Sequence, residues 1–208
     1  EWIEKERAQA PAVSQPFESI GGGLLRMHLG NPAIDALPSA LLARIFCVSS
    51  AQPRDGMPAF LEKLDTLREA ARQNFFAFSL ETLDVYLQEY LAAGCPMVRH
   101  SEAFNHAYRP AYRVIDSRFA AVWPLLAPLW EKVQQNGRFT LALDGMAASG
   151  KSTAADLLQL LFGGSIVHLD DFFLPPKMRT AERLAAPGGN VHYERFCEEV
   201  VEPLRRGE

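Results

Sequence analysis

The feature that most constrains the fold of this chain is a glycine-containing segment, residues 145–152, with the sequence "GMAASGKS". It matches the pattern G-x-x-x-x-G-K-[ST] at every fixed position. The apolar run "RFTLALDG", residues 138–145, leads into it and predicts a buried strand. After it, apolar side chains recur every three to four positions, which predicts a helix that ends at Gly163 and Gly164. Strand, loop and helix in this order are the context in which the pattern forms a phosphate-binding loop.

The chemistry of this loop follows from its geometry. Gly145 and Gly150 allow the backbone to wrap so that its N–H groups point at phosphate oxygens, and the helix N-terminus adds donors. Lys151 should reach the β- and γ-phosphates of a nucleoside triphosphate, and the Ser152 hydroxyl should coordinate Mg²⁺. The expected nucleotide-binding residues are Gly145, Met146, Ala147, Ala148, Ser149, Gly150, Lys151, Ser152 and Thr153. The alternative is a glycine turn between a strand and a helix, with Lys151 exposed.

An acidic pair follows the loop at a distance that suggests a second part of the same site. The run "SIVHL", residues 165–169, predicts a short strand, and Asp170 and Asp171 come directly after it. If this strand is parallel to the first, both strand ends lie at the sheet edge where open α/β folds bind ligands. A carboxylate there accepts the proton of a hydroxyl that receives phosphate. The alternative is an acidic pair that only orders water around Mg²⁺.

Four motifs in order give the chain a family resemblance: "DGMAASGKST", "VHLDDFFLP", "RTAERLAAPGGN" and "YERFCEEVVEPL". Over residues 138–208 they resemble the uridine kinase-like group of P-loop kinases, relatives of uridine-cytidine kinase, phosphoribulokinase and bacterial pantothenate kinase. The resemblance implies an ATP-dependent phosphotransferase that moves the γ-phosphate of ATP to a hydroxyl of a small molecule, with a nucleoside as the first expectation. It also implies Asp170 as the catalytic base, with Phe172 and Phe173 after it.

Site residues can be assigned on this basis. We expect Asp170 and Lys151 as catalytic residues, and Ser152, Asp170 and Asp171 near the metal, with ATP and Mg²⁺ as cofactors. Basic side chains follow the acidic pair, and the resemblance places the acceptor pocket around residues 190–193, where His192 stands in place of the acidic residue expected for ribose hydroxyls. The expected substrate-binding residues are Asp171, Phe173, Arg179, Arg183 and His192. Because of His192, pantothenate or a sugar phosphate stays open as an alternative acceptor.

The predicted fold is α/β. It consists of a P-loop NTPase-type parallel sheet with flanking helices, incomplete at its C-terminus, preceded by a largely helical N-terminal region. Amphipathic periods predict helices over 58–72 and 80–93, the second capped by Ser79. Short strands are predicted at 44–48 and 111–115, and a helix from Asp116 to about Gln135 that is kinked or broken near Pro124 and Pro128. We therefore expect a domain of unknown function over 1–115 and the first part of a kinase domain over 116–208.

Two further segments, one rich in glycine and one rich in aromatic rings, allow more than one interpretation. "ESIGGGLLRMHLGNP" is interpreted as a loop that leads into a short strand or helix, because a glycine triplet has no phosphate-binding spacing. "HSEAFNHAYRPAYRVI", residues 100–115, concentrates His, Tyr and Arg. It is either a polar connector, the favoured interpretation, or a loop that contacts a ligand.

Composition narrows the class of protein. The 208 residues are 48% hydrophobic and 22% charged, and the formal net charge of −4 gives no overall attraction to nucleic acid or anionic membranes. The three scattered cysteines have no metal-ligand spacing, so we expect a soluble cytoplasmic protein with a small-molecule acceptor. A homo-oligomer stays open. The chain begins at Glu1 and stops at "EPLRRGE", from which we expect a trimmed kinase domain that is inactive alone. The alternative function is a non-catalytic ATP-binding regulatory module.

Overall fold

The computed structural model describes residues 1–51 and 56–207, and the chain divides into two compact units, residues 1–142 and 143–208. The sequence-based domain boundary lies earlier, between residues 115 and 116. The long helix that follows this boundary, Arg118–Asn136, belongs by its contacts to the first unit.

The first unit contains seven helices and three strands among its described residues. The helices are α1 (Trp2–Gln9), α2 (Pro32–Asp35), α3 (Ser39–Ala51), α4 (Met57–Arg72), α5 (Leu80–Ala92), α6 (Glu102–Tyr108) and α7 (Arg118–Asn136). The strands are β1 (Phe17–Gly21), β2 (Leu24–His28) and β3 (Tyr112–Asp116).

The three strands form one antiparallel sheet in the order β1-β2-β3. Phe17 pairs with Met27 in the first ladder, and Leu25 pairs with Ile115 in the second. The hairpin between β1 and β2 turns through residues 21–23, three glycines with φ of 79°, 58° and 70°. Only glycine adopts such values without strain, so the triplet is a turn. A loop that leads into a short strand or helix was predicted, and the element that follows the turn is a strand, β2. The strand predicted at 111–115 is confirmed as β3.

The buried hydrophobic residues of the first unit come mainly from the sheet and from helices that include α3 and α7. Met27 and Ile115 from the sheet are fully buried, together with Ile45 of α3. From α7, Phe119, Val122, Leu126 and Leu129 form the buried stripe. The predicted strand at 44–48 is wrong, because these residues lie within α3, where the buried positions follow a helical period. The predicted helix after Asp116 is confirmed, but a break near its prolines is wrong, because α7 is continuous with Pro124 and Pro128 inside it.

Helices α4 and α5 form a hairpin with its own small core. Leu64 and Ala71 of α4 pack with Leu83 and Leu87 of α5. Arg68 bridges the two helices, with its guanidinium 2.8 Å from Asp84 and 2.9 Å from Asp65. Both helices were predicted from their apolar period, and the predicted cap is also present, since the Ser79 hydroxyl accepts the Thr82 N–H.

The second unit consists of helices and turns in its described part. They are α8 (Lys151–Phe162), 3₁₀ turns at Leu169–Phe172 and Pro176–Met178, α9 (Ala181–Ala185), α10 (Tyr193–Phe196), a π-helical turn at Cys197–Val201 and α11 (Glu202–Arg206). The predicted helix after the glycine loop is confirmed as α8, with Leu157, Leu158 and Leu161 buried. Across the described ranges, no helix has the length and apolar character needed to cross a membrane.

The predicted P-loop NTPase-type parallel sheet is wrong. The described residues are 58% helical, and the sheet that they form is the small antiparallel one of the first unit. The two runs predicted as parallel strands make no backbone hydrogen bonds over 139–144 and 165–167 to any described residue. Their apolar side chains are also far from fully covered, with Leu141 41% and Val167 48% exposed. A strand exists only with a neighbour to bond, and neither segment has one among the described residues.

Candidate functional site

The glycine loop before α8 has a defined backbone conformation. Ala148 (φ 59°) and Gly150 (φ 86°) are left-handed, whereas the residue between them and the first residue of α8 are not. Such alternation is typical of anion-binding concavities, in which successive N–H groups point toward one side of the chain. At Gly145, a Cβ atom would lie 3.1 Å from the Ser149 hydroxyl, so the loop is close-packed at this position. The loop is held in a shape suited to an anion.

Most of the backbone N–H donors of this loop have no acceptor among the described residues. Gly145 N–H bonds to the Asp144 carboxylate at 2.7 Å, and Ser149 N–H bonds to the Met146 carbonyl at 3.3 Å. The other loop N–H groups have no acceptor among the described residues: those of Met146, Ala147, Ala148, Gly150, Lys151, Ser152 and Thr153. The last three are the open donors at the start of α8, where the helix dipole is positive. Backbone donors of this kind bind phosphate well.

The Lys151 side chain folds back over the loop. Its ammonium donates to the carbonyl of Gly145 at 2.9 Å and to the carbonyl of Met146 at 2.8 Å. The positive charge is therefore held on the loop itself.

The residues present fit a Mg²⁺-bound nucleotide. The Ser152 and Thr153 side chains are exposed at the first turn of α8. Within the described ranges, no group of three or more His, Cys, Asp or Glu side chains is placed to hold a metal ion. Mg²⁺ does not need such a group, because it commonly binds to substrate phosphates, water and one or two protein oxygens.

Asp170 and Asp171 lie in the 3₁₀ turn Leu169–Phe172 with both side chains exposed. The turn is anchored through its other residues. Phe172 is buried and meets Phe196 edge-on at 5.2 Å, and the Arg195 guanidinium stacks over its ring at 4.6 Å. The same guanidinium donates to the backbone carbonyl of Asp171 at 3.1 Å. Helix α10 thus fixes the backbone of the acidic pair, and the Asp170 carboxylate makes no hydrogen bond or ion pair with another described residue.

Arg183 is already engaged. Its two terminal nitrogens each donate to the Glu194 carboxylate at 2.8 Å, and one also donates to the Tyr193 hydroxyl at 2.9 Å. Its guanidinium also lies 3.8 Å from the Tyr193 ring centre. This bidentate pair lowers the pKa of Glu194 to about 2. In this arrangement the Arg183 charge is compensated by protein groups.

The remaining predicted substrate residues have structural contacts. The Arg179 side chain donates to the Leu174 carbonyl at 2.8 Å. The His192 ring caps α10 by accepting the Arg195 N–H at 3.3 Å, and its backbone N–H bonds to the Phe172 carbonyl at 2.6 Å. Phe173 is 47% exposed and bridges to Val191 through the backbone.

The structure therefore holds the predicted residues in two groups. The first is the loop, residues 145–153. The second joins the turn 169–172 to α10. Among the described residues, no hydrogen bond or ion pair links the first group to Asp170, Asp171, Arg179, Arg183 or His192.

Sequence reasoning missed two residues of the second group, Glu194 and Arg195. They lie two and three residues after His192, in the motif "YERF", but their partners lie 11 and 24 residues earlier in the chain. No local period links such positions, so the sequence offers no signal for these contacts. Comparisons of this chain with protein-family models, with curated proteins and with solved structures give no match.

Proposed function

We propose that this protein is an ATP-dependent phosphotransferase that moves the γ-phosphate of ATP to a hydroxyl of a small, nucleoside-like molecule. The observation that carries the proposal is the loop of residues 145–153. It combines a complete G-x-x-x-x-G-K-[ST] sequence with open N–H donors and the ammonium of Lys151 on the same loop. This set of donors suits a polyphosphate chain.

Each residue has a role in the proposed transfer. The loop N–H groups and Lys151 hold the phosphates, and the Ser152 hydroxyl would help to hold Mg²⁺. When bound, Mg²⁺ offsets negative charge on the phosphate oxygens. Asp170 accepts the proton of the acceptor hydroxyl while that oxygen bonds to the γ-phosphorus and the bond from this phosphorus to the departing ADP oxygen breaks. The exposed Asp170 carboxylate, on a backbone fixed by Arg195, suits this role.

The test is a measurement of phosphate transfer from ATP and Mg²⁺ by the full-length protein. Nucleosides, pantothenate and sugar phosphates serve as acceptors. We expect transfer to at least one acceptor and a loss of turnover of about 100-fold or more in Asp170→Asn, with ATP binding retained. Asp156→Asn is the matched control, because Asp156 is an exposed aspartate on α8 outside the loop. Full turnover by Asp170→Asn would refute the role of Asp170, and intact ATP binding with no transfer to any acceptor would refute the kinase proposal.

A second function is favoured by a separate observation. The Arg183 charge is compensated by Glu194, and in the described part of the chain no hydrogen bond or ion pair links the loop to the second group of site residues. A module that binds ATP without transferring phosphate needs only the loop. For such a module, ATP and Mg²⁺ should change amide hydrogen exchange in residues 1–142 equally in the unchanged chain and in Asp170→Asn.

A further inference from the structure

Arg183 and Glu194 join α9 to α10 in the second unit. The two terminal nitrogens of Arg183 each donate to one oxygen of the Glu194 carboxylate at 2.8 Å. The guanidinium also lies over the Tyr193 ring, 3.8 Å from its centre, and donates to the Tyr193 hydroxyl at 2.9 Å. A guanidinium that is oriented by a ring and presents two donors side by side recognises a carboxylate or a phosphate group. The structure therefore contains a formed anion site, and a carboxylate of the chain itself occupies it.

Arg183 is the main partner of the Glu194 carboxylate. Its hydrogen bonds are the largest cause of the lowered pKa of this carboxyl, ahead of the backbone N–H of Glu194 itself. His192 Nδ1 lies 3.3 Å from the carboxylate, but the same nitrogen accepts the Arg195 N–H and so has no proton to donate. The Glu194 side chain is 48% exposed, so water can solvate the carboxylate when it leaves the guanidinium. Ion pairs with this exposure are weak, and the carboxylate can be exchanged for another anion.

The Arg183 guanidinium has anchors besides Glu194. It is held by the ring and hydroxyl of Tyr193 and by the Val191 carbonyl at 3.4 Å. Its Nε is buried and has no hydrogen-bond partner in the described part of the chain, so the pair with Glu194 leaves one donor unused. A phosphate ester offers three terminal oxygens and up to two negative charges, whereas a carboxylate offers two oxygens and one charge. A phosphate group therefore matches this guanidinium better than Glu194 does.

The anion site belongs to the same group of residues as the acidic turn. Glu194 is followed in α10 by Arg195, whose guanidinium donates to the backbone carbonyl of Asp171 at 3.1 Å. Two residues before Glu194, the His192 N–H bonds to a backbone carbonyl of the same turn at 2.6 Å. The residues on both sides of Glu194 thus connect α10 to the turn that carries the proposed catalytic base.

We propose that Glu194 is a specificity-determining residue, an internal competitor that occupies the anion position at Arg183 and yields it to the phosphate group of the acceptor. The inference rests on the proposed function, because it names the class of acceptor: a small molecule that carries a phosphate ester besides the hydroxyl that is phosphorylated. In the exchange no covalent bond changes. The Glu194 carboxylate moves into water, and phosphate oxygens accept the two hydrogen bonds that it leaves. A neutral acceptor cannot replace the charge of Glu194.

The test is calorimetric binding of ribose 5-phosphate to the full-length protein, with ribose as the probe without an anion. Glu194→Gln removes the competing charge and keeps the size of the side chain. We expect ribose 5-phosphate to bind this variant about tenfold or more tightly than the unchanged protein, since no charge-assisted contact is lost when it binds. The gain should disappear in the double variant Glu194→Gln with Arg183→Gln. Ribose should bind all of these proteins equally weakly.

The matched control is Glu198→Gln. Glu198 is an exposed glutamate in the π-helical turn that follows α10, so its removal should leave binding within about twofold of the unchanged protein. Thermal denaturation checks that each variant is folded. An NMR measurement on the unchanged protein needs no variant: at about pH 7, where a phosphate ester is largely doubly charged, ribose 5-phosphate should shift the side-chain carboxyl signal of Glu194 and ribose should not.

Three results would overturn the proposal. They are equal affinity of Glu194→Gln and Glu198→Gln for ribose 5-phosphate, a gain in affinity that survives the loss of Arg183, and a Glu194 carboxyl signal that ribose 5-phosphate does not shift. None of these measurements uses ATP. Failure of phosphate transfer and failure of this proposal are therefore distinguishable.

Discussion

Lys151→Met is the perturbation that tests the glycine loop most directly. In the structure the ammonium makes two hydrogen bonds to loop carbonyls, 2.9 Å to Gly145 and 2.8 Å to Met146. When phosphate binds, the same charge is available to phosphate oxygens, and a charge-assisted contact of this kind contributes about 1.5–3 kcal/mol. Because about 1.4 kcal/mol corresponds to a factor of ten, the variant should bind ATP and Mg²⁺ roughly 10- to 100-fold more weakly.

The assay is calorimetric titration of the full chain with a non-hydrolysable ATP analogue and Mg²⁺. The free energy of unfolding, measured by thermal denaturation, should fall by only about 1 kcal/mol, because the hydrogen bonds that Lys151 makes are at the surface. Lys132→Met is the control, since Lys132 is an exposed lysine on α7 outside the loop. Equal affinity of the two variants for the analogue would show that the Lys151 charge does not contact phosphate, and the loop would then be a structural turn.

Three further predictions concern stability and are measured on the full chain. In Gly189→Ala a Cβ atom would lie 1.7 Å from a backbone carbonyl oxygen, so the free energy of unfolding, measured by thermal denaturation, should fall by more than about 2 kcal/mol. The control Gly188→Ala should lose about 1 kcal/mol, because φ is 68° there but the space around the new Cβ atom is open. Ser49→Ala removes two backbone hydrogen bonds of a buried hydroxyl and should cost about 1–3 kcal/mol in urea unfolding, whereas Ser50→Ala, at the surface, should cost less. The pKa of Glu194 is lowered from 4.5 to about 2 by the guanidinium beside it, so the stability from this pair is present above pH 4.5 and is lost as the pH falls toward 2. An NMR titration should give that pKa, and a carboxyl that titrates near 4.5 would contradict the pair.

The sequence was sufficient for elements whose signal is local. The apolar periods of α4, α5 and α8 predicted these helices, and the Ser79 hydroxyl caps α5 as expected. The period failed at residues 44–48, because a short run of apolar and aromatic residues is compatible with a strand as well as with a buried helix. The parallel strands failed for a different reason. Their apolar patterns were present, but strands depend on partners elsewhere in the chain, and residues 139–144 have none among the described residues.

The candidate site likewise has one part with a local sequence signal and one part that depends on residues distant in the chain. The loop could be predicted because its pattern and backbone conformation depend on consecutive residues, and the structure gives it open donors and a folded-back Lys151 even without a parallel sheet beside it. Ala148, which has a Cβ atom, adopts a φ of 59°, so the backbone strain of the loop lies at this residue. The second group of site residues depends instead on contacts over longer separations. In this group the Arg183 guanidinium already donates both of its terminal nitrogens to the Glu194 carboxylate. An acceptor that binds through Arg183 must therefore first displace this carboxylate. Binding of ATP in the loop and binding of an acceptor at Arg183 are therefore separate energetic problems, and an acceptor that carries its own phosphate is better able to compete with Glu194 than an uncharged nucleoside.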